Sequence, residues 1–144
     1  MTGSERKPGF TLLELVLVLA MTALIASIAV PWANRFRDSI GVSSASAEAY
    51  ALFGIARHSA ILRARGTVLE IDTAGRRILV LSSNDTLRVR PLGALHGVRL
   101  QASRLTTSYA PNGLGIGVSN LTLVIRKGRA ADTLTVSRLG RVRR

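Results

Sequence analysis

The chain has 144 residues, no cysteine, and 20 Lys and Arg against 8 Asp and Glu, a formal charge of +12. Without cysteine it can have neither a disulfide framework nor a thiolate metal site. The charge favours phosphate-bearing partners, nucleic acid first and anionic membrane surface second; apart from Lys7 and Lys127 every cation is an arginine, whose planar fork matches phosphate oxygens.

In chain order, Arg6, Lys7, Pro8 and Gly9 form a short basic leader broken by two residues that oppose helix formation. From Phe10 to Val30 the run is apolar, with Glu14 its only ionisable side chain. A bilayer-spanning helix needs about 20 such residues, and a carboxylate inside one costs roughly 2.5–3.5 kcal/mol, so Glu14 marks a function and calls for a cationic partner. An ordinary signal peptide cut near Ser27-Ile28-Ala29, or an uncleaved signal anchor, also has a basic start and an apolar middle. Neither explains Gly-Phe at the start of the run or Glu at its fifth position. Cleavage after Gly9 would leave the Phe10 amine about one helical turn from Glu14.

Gly9-Phe-Thr-Leu-Leu-Glu14 resembles the class III signal of type IV prepilins and pseudopilins. That resemblance implies a peptidase cut between Gly9 and Phe10, N-methylation of Phe10, and pairing of Glu14 with the N-terminus of an adjacent subunit during assembly. It also implies storage in the bacterial inner membrane as a single-pass prepilin, then passage to the periplasm and a pilus fibre. The prepilin peptidase, other pilins or minor pilins and the inner membrane become the expected partners. Residues 1–9 would be the leader, 10–31 the membrane and assembly half of an N-terminal helix, and 32–144 a soluble domain.

Pro31 predicts a bend rather than a break. Trp32, Arg35 and Arg37 follow at headgroup level. From Ser43 to Arg65 the helical period resumes, and Ala47, Tyr50, Ala51, Gly54, Ile55, His58, Ile61 and Leu62 predict the stripe that packs on a sheet, with Glu48, Arg57, Ser59 and Arg63 opposite and Gly66 as the stop. After Gly66 the period becomes that of strands. Residues 67–72 and 77–82 predict a hairpin turning at Gly75, and short runs follow at 87–90, 98–100, 121–125 and 134–137. The fold class is therefore α+β, a long N-terminal helix laid on antiparallel β-sheet.

Three stretches narrow the resemblance. Arg57-His-Ser-Ala-Ile-Leu-Arg63, Tyr109-Ala-Pro-Asn-Gly113 and Leu134-Thr-Val-Ser-Arg-Leu-Gly-Arg141 look like the GspH/FimT group of minor pseudopilins, which has the type IV pilin-like fold. One branch caps the pseudopilus of type II secretion. Members of the FimT-like branch bind DNA for natural transformation through a C-terminal Gly-Arg-x-Arg motif, matched here by Gly140-Arg141-Val142-Arg143. The chain departs from the group in having Tyr rather than the more usual Phe at 109, and Arg144 extends the motif.

Arg126, Lys127, Arg129, Arg138, Arg141, Arg143 and Arg144 all fall in the last nineteen residues, opposed by Asp132 alone. In an extended chain Arg141 and Arg143 point the same way, about 6.5–7 Å apart, close to the spacing of successive phosphates. Gly140 leaves the tail free to turn onto a ligand. A solvated basic tail or a tether to anionic membrane is the plainer alternative. Contacts of this kind read phosphates and not bases, so sequence-independent DNA binding is the expectation; a structural pseudopilin of type II secretion is the second reading. An enzyme domain on a membrane anchor is the third and least supported. His58 lies on the apolar stripe and reads as core, Glu70 and Asp72 as surface partners of Arg76 and Arg88, and Gly113-Leu-Gly115-Ile-Gly117 as a loop and not a phosphate cradle. No cofactor is called for.

Overall fold

The computed structural model describes residues 9–83, 85–117 and 120–144. The expected leader, apart from Gly9, lies outside the described residues. The chain forms two compact units, the first ending at Asn34 and the second running from Arg35 to Arg144.

Helix α1, Leu12–Leu62, is unbroken at Pro31. Its start is capped: the Glu14 N–H donates to Thr11 Oγ1 at 3.2 Å and the Leu15 N–H to the Thr11 carbonyl at 3.1 Å. Thr11-x-x-Glu14 has capping-box spacing, and Glu14 stands at the positive end of the helix dipole. In the first unit the apolar side chains are exposed all round, and this stretch is long and apolar enough to cross a membrane.

In the second unit α1 buries Val42, Ala45, Ala49, Phe53, Ala56 and Ala60, with Ser46 and Leu52 beside them. The expected stripe is thus on the wrong face. Ala47, Tyr50, Ala51, Gly54, His58, Ile61 and Leu62 are exposed, and His58 is no core residue. Both faces carry residues at helical spacing, but small side chains let the helix backbone approach sheets whose own Leu, Ile and Val fill the space. Past the last turn, Ala64 takes the left-handed conformation (φ +48°), its N–H donating to the Ile61 carbonyl and that of Arg65 to the Ala60 carbonyl, each at 3.2 Å. This is a Schellman stop with Ala64, not Gly66, at the left-handed position.

Strands β1 (Thr67–Asp72) and β2 (Arg77–Ser82) pair antiparallel along their whole length. The left-handed residue in their turn is Arg76 (φ +51°) rather than Gly75. Asp72 accepts from the Gly75 N–H at 2.7 Å and from Arg77 Nε at 2.8 Å, and these two bonds hold its carboxyl below the usual range. Its partner is therefore Arg77, not Arg76 or Arg88. Then come β3 (Asp85–Arg90), a short α2 (Leu92–His96), β4 (Arg99–Ala102), β5 (Thr106–Tyr109), β6 (Gly115–Ile116), β7 (Leu121–Lys127), β8 (Ala130–Val136) and β9 (Val142–Arg143).

The strands form two antiparallel sheets and not one, in the orders β3-β2-β1-β5-β6 and β4-β7-β8-β9. Leu69, Ile71, Ile78 and Val80 of the first and Leu100, Leu123, Ile125 and Leu134 of the second enter one core with the small-residue face of α1. Two polar contacts fix the helix on it. The Thr67 hydroxyl donates to the Ala56 carbonyl at 2.7 Å, and Glu48 lies 3.2 Å from His96 Nε2 and 3.3 Å from Arg90 Nε. The α+β class, a long helix on antiparallel sheet, is what the structure shows.

Candidate nucleic-acid interface

Gly140 is a fixed corner, not a point of freedom. It is buried, has φ +77°, and a Cβ there would stand 2.7 Å from Tyr109 Cε1 and 3.2 Å from the Gly115 nitrogen. Its N–H donates to the Ser137 carbonyl, and the Ser137 N–H to the Arg141 carbonyl, both at 2.8 Å. The chain then joins β8 as an edge strand, with Val142 opposite Val136 and Arg143 opposite Thr135. Tyr109, at the end of β5, packs under this corner, its hydroxyl 3.5 Å from the Gly140 carbonyl. Burial pushes the phenol up to about 12, with the Arg57 charge pulling the other way. Two stretches far apart in sequence, 109–113 and 140–143, thus meet.

The pinned tail sorts its arginines by strand alternation. Val142 turns inward and Arg143 outward. Arg141 and Arg143 border one cleft of about 620 Å³ with Asn120, Thr122 and Thr135. Arg141 also borders a cleft of about 260 Å³ with Tyr50, Gly54 and Arg57, which brings a helix residue not counted among the binding arginines beside the motif. Arg144 has the opposite parity and folds back: its Nε is 2.5 Å from Asp132 Oδ2 and its Nη2 donates to Ser43 Oγ at 3.0 Å. It clamps the tail to α1 and does not lengthen the outward motif.

Burial by itself would raise the Asp132 carboxyl, but Ser46, Arg144 and the Thr133 N–H more than offset this and hold it below its ordinary 3.8. The Ser46 hydroxyl contributes by proximity, since it closes no hydrogen bond of full geometry. A carboxylate depressed in the folded state stabilises above its unfolded pKa and loses that contribution as pH falls through the folded value. Asp132→Asn should therefore lower the melting temperature by an amount that is constant above about pH 5 and disappears in acid below the ordinary 3.8, worth under about 1 kcal/mol for a pair this open to solvent. Parallel thermal melts of both proteins from pH 7 to pH 2.5 check the sign.

Arg126, Lys127 and Arg129 are not beside the tail. The register of β7 with β8 runs from Leu121↔Val136, next to β9, to Lys127↔Ala130 at the far end. Lys127 Nζ is 3.9 Å from Asp38 Oδ1, a loose ion pair. Arg126 stands directly opposite Arg99 of β4, and the two border a cleft of about 520 Å³ with Gly97, Lys127 and Gly128. Sequence reasoning misses Arg99, since one arginine in a short apolar run has no signal until a partner strand is known. Arg138 is exposed just before the Gly140 corner.

No family model and no curated protein matches the sequence. Among solved structures, the crystal structure of the type IV minor pilin FimU of Pseudomonas aeruginosa strain PAO1 superposes with a TM-score of 0.61 at 19% identity, over 71% of this chain and 86% of that one. The fold is type IV pilin-like. A second crystal form of the same minor pilin gives a TM-score of 0.58, again at 19% identity, over 70% of this chain and 90% of that chain. On this pilin-like fold the other sequence-marked residues, Gly9, Phe10 and Glu14, are all exposed at the start of α1, Phe10 at 82%. The exposed helix face continues the same character into the second unit through Phe36, Ile40, Tyr50, Ile61 and Leu62.

Proposed function

We propose that the protein is a FimT-like minor pilin that enters a type IV pilus and binds DNA without regard to sequence, for uptake in natural transformation. The observation that carries the DNA reading is the pinned edge strand, which holds Arg141 and Arg143 outward on one cleft while Arg144 turns away to Asp132. None of the ion pairs among the described residues involves Arg141 or Arg143. Two exposed guanidinium groups on a pinned backbone, without a carboxylate partner, suit a polyanion, and threonine hydroxyls in the same cleft add neutral donors for phosphate oxygens. Titration with scrambled-sequence DNA at several salt concentrations tests the reading. Affinity should fall linearly with log salt and be equal across sequences; no binding at low salt would transfer preference to a structural pseudopilin.

The pilin reading rests on the fold, on the class III signal and on the exposed apolar face of α1, an expanse that isolated soluble proteins seldom leave open. By this reading the chain is cut after Gly9, methylated on Phe10 and packed against other pilins, with Glu14 answering the amine of a neighbour. Glu14→Ala should leave cleavage intact, because the cut precedes it, and reduce incorporation into the fibre at least tenfold, the loss of an ion pair in hydrocarbon. Mass spectrometry of the mature N-terminus and immunoblots of sheared fibres read the two effects apart. A mature N-terminus near Val30 would refute the scheme.

A further inference from the structure

The outward face of the second sheet has a composition that packing does not explain. Along β4, β7, β8 and β9 the inward residues are apolar, apart from Asp132 and Lys127, which turn toward the helix side, while Arg99, Arg126 and Arg143 face out with Thr122, Val124, Thr133 and Thr135 among them. Asp132 is the only acid in these four strands, and it points to the other side, toward Arg144. Arg99 and Arg126 sit directly opposite each other, a like-charge pairing that costs stability in the free protein. An anion held between them reverses the sign of that interaction.

The separation of the two basic corners follows from the register. Arg143 is opposite Thr135 and Arg126 is opposite Ala131, so the two lie four residues apart along β8, on strands flanking it. At about 3.3–3.4 Å per residue and about 4.8 Å per strand, Arg126 starts about 16–17 Å from Arg143, and Arg99, one strand further, about 20 Å from it. Duplex DNA advances about 3.4 Å per phosphate on each strand, so five or six base pairs cover that span. A duplex presents phosphates at set distances, which lets two fixed corners be met without the ordering cost of a flexible strand. The face also has no aromatic side chain on which an unpaired base could stack.

We propose that this sheet face seats duplex DNA on two feet, Arg141 and Arg143 at one corner and Arg99 and Arg126 at the other. The proposal rests on the DNA reading above and assigns the second foot, including Arg99. The second foot makes affinity depend on duplex length: a short duplex reaches one corner, and a longer one reaches both.

The test uses the full chain in zwitterionic detergent with hairpin duplexes of about 4 and about 12 base pairs, below and above the span. Wild-type protein should bind the longer hairpin at least tenfold more tightly, beyond the gain from counting sites. Arg99→Gln/Arg126→Gln, with one foot left, should bind the short hairpin within about twofold of wild type, lose the length gain, and reduce the magnitude of the log K against log salt slope on the long one by about 1.8, at about 0.9 per phosphate. Its melting temperature should be no lower than wild type, since a repulsive pair is gone. If the variant matches wild type on the long hairpin while Arg141→Gln/Arg143→Gln is weakened, the second foot is wrong and the tail reading stands. If wild type binds neither hairpin, the DNA reading itself falls. If both variants bind long DNA normally but lose binding to phosphatidylglycerol vesicles, the face is a membrane tether and the proposal is overturned.

Discussion

Arg141→Gln/Arg143→Gln should weaken binding to duplex DNA and cut the magnitude of the log K against log salt slope by about 1.8, with the same loss on any scrambled sequence. The size follows from counterion release, at about 0.9 per phosphate neutralised, and from the placement of both side chains on one cleft of the pinned edge strand. Fold loss cannot account for the result, because both residues are exposed and the strand is held by the backbone of β8 and by the inward Val142. Circular dichroism should be unchanged. Arg144→Gln is the internal control: its guanidinium is engaged with Asp132 and Ser43, so its removal should cost tail anchoring and little of the salt slope. Equal affinity for wild type and the double variant, in folded protein, would remove the tail from the mechanism.

Sequence periodicity locates the long helix, the first hairpin and most of the longer strands because each carries its own local signal. Residues 67–82 alternate cleanly and turn where they should, although Arg76 and not Gly75 takes the left-handed conformation. The helix face is misread for a physical reason. A periodicity argument weights large apolar side chains, whereas a helix seated closely on two sheets buries Ala45, Ala49, Ala56 and Ala60 and leaves Tyr50, Ile61 and Leu62 outside. Strand β5 is Thr-Thr-Ser-Tyr, and β6 and β9 have two residues each, so their pairing is dictated by neighbours and not by their own composition. The same holds for the interface. Clustering along the sequence puts seven cations together, but the register divides them: Arg141 and Arg143 at one corner, Arg126 and Lys127 at the other, with Arg99 and Arg57 arriving from elsewhere in the chain.

Gly140→Ala should be the most damaging single change in the motif, although it removes no charge. Two costs add. A residue with a Cβ at φ +77° is strained by about 1–2 kcal/mol, and the new Cβ would lie 2.7 Å from Cε1 of Tyr109, a buried ring that packing holds in place. Overpacking of that kind costs about 1–3 kcal/mol, so a total loss of about 2–5 kcal/mol in unfolding free energy is expected. Leu139→Ala, one residue earlier and 60% exposed, should stay within about 0.5 kcal/mol of wild type. Denaturant melts of the two variants give the comparison. DNA binding should follow stability in a specific way: where Gly140→Ala remains folded, relief of the clash shifts Arg141 and Val142 off the β8 edge, and the salt slope falls toward that of the Arg141/Arg143 double variant with every arginine still present. Wild-type stability together with a wild-type slope in the Gly140→Ala variant would mean that the corner is soft and that the arginines find their phosphates without it.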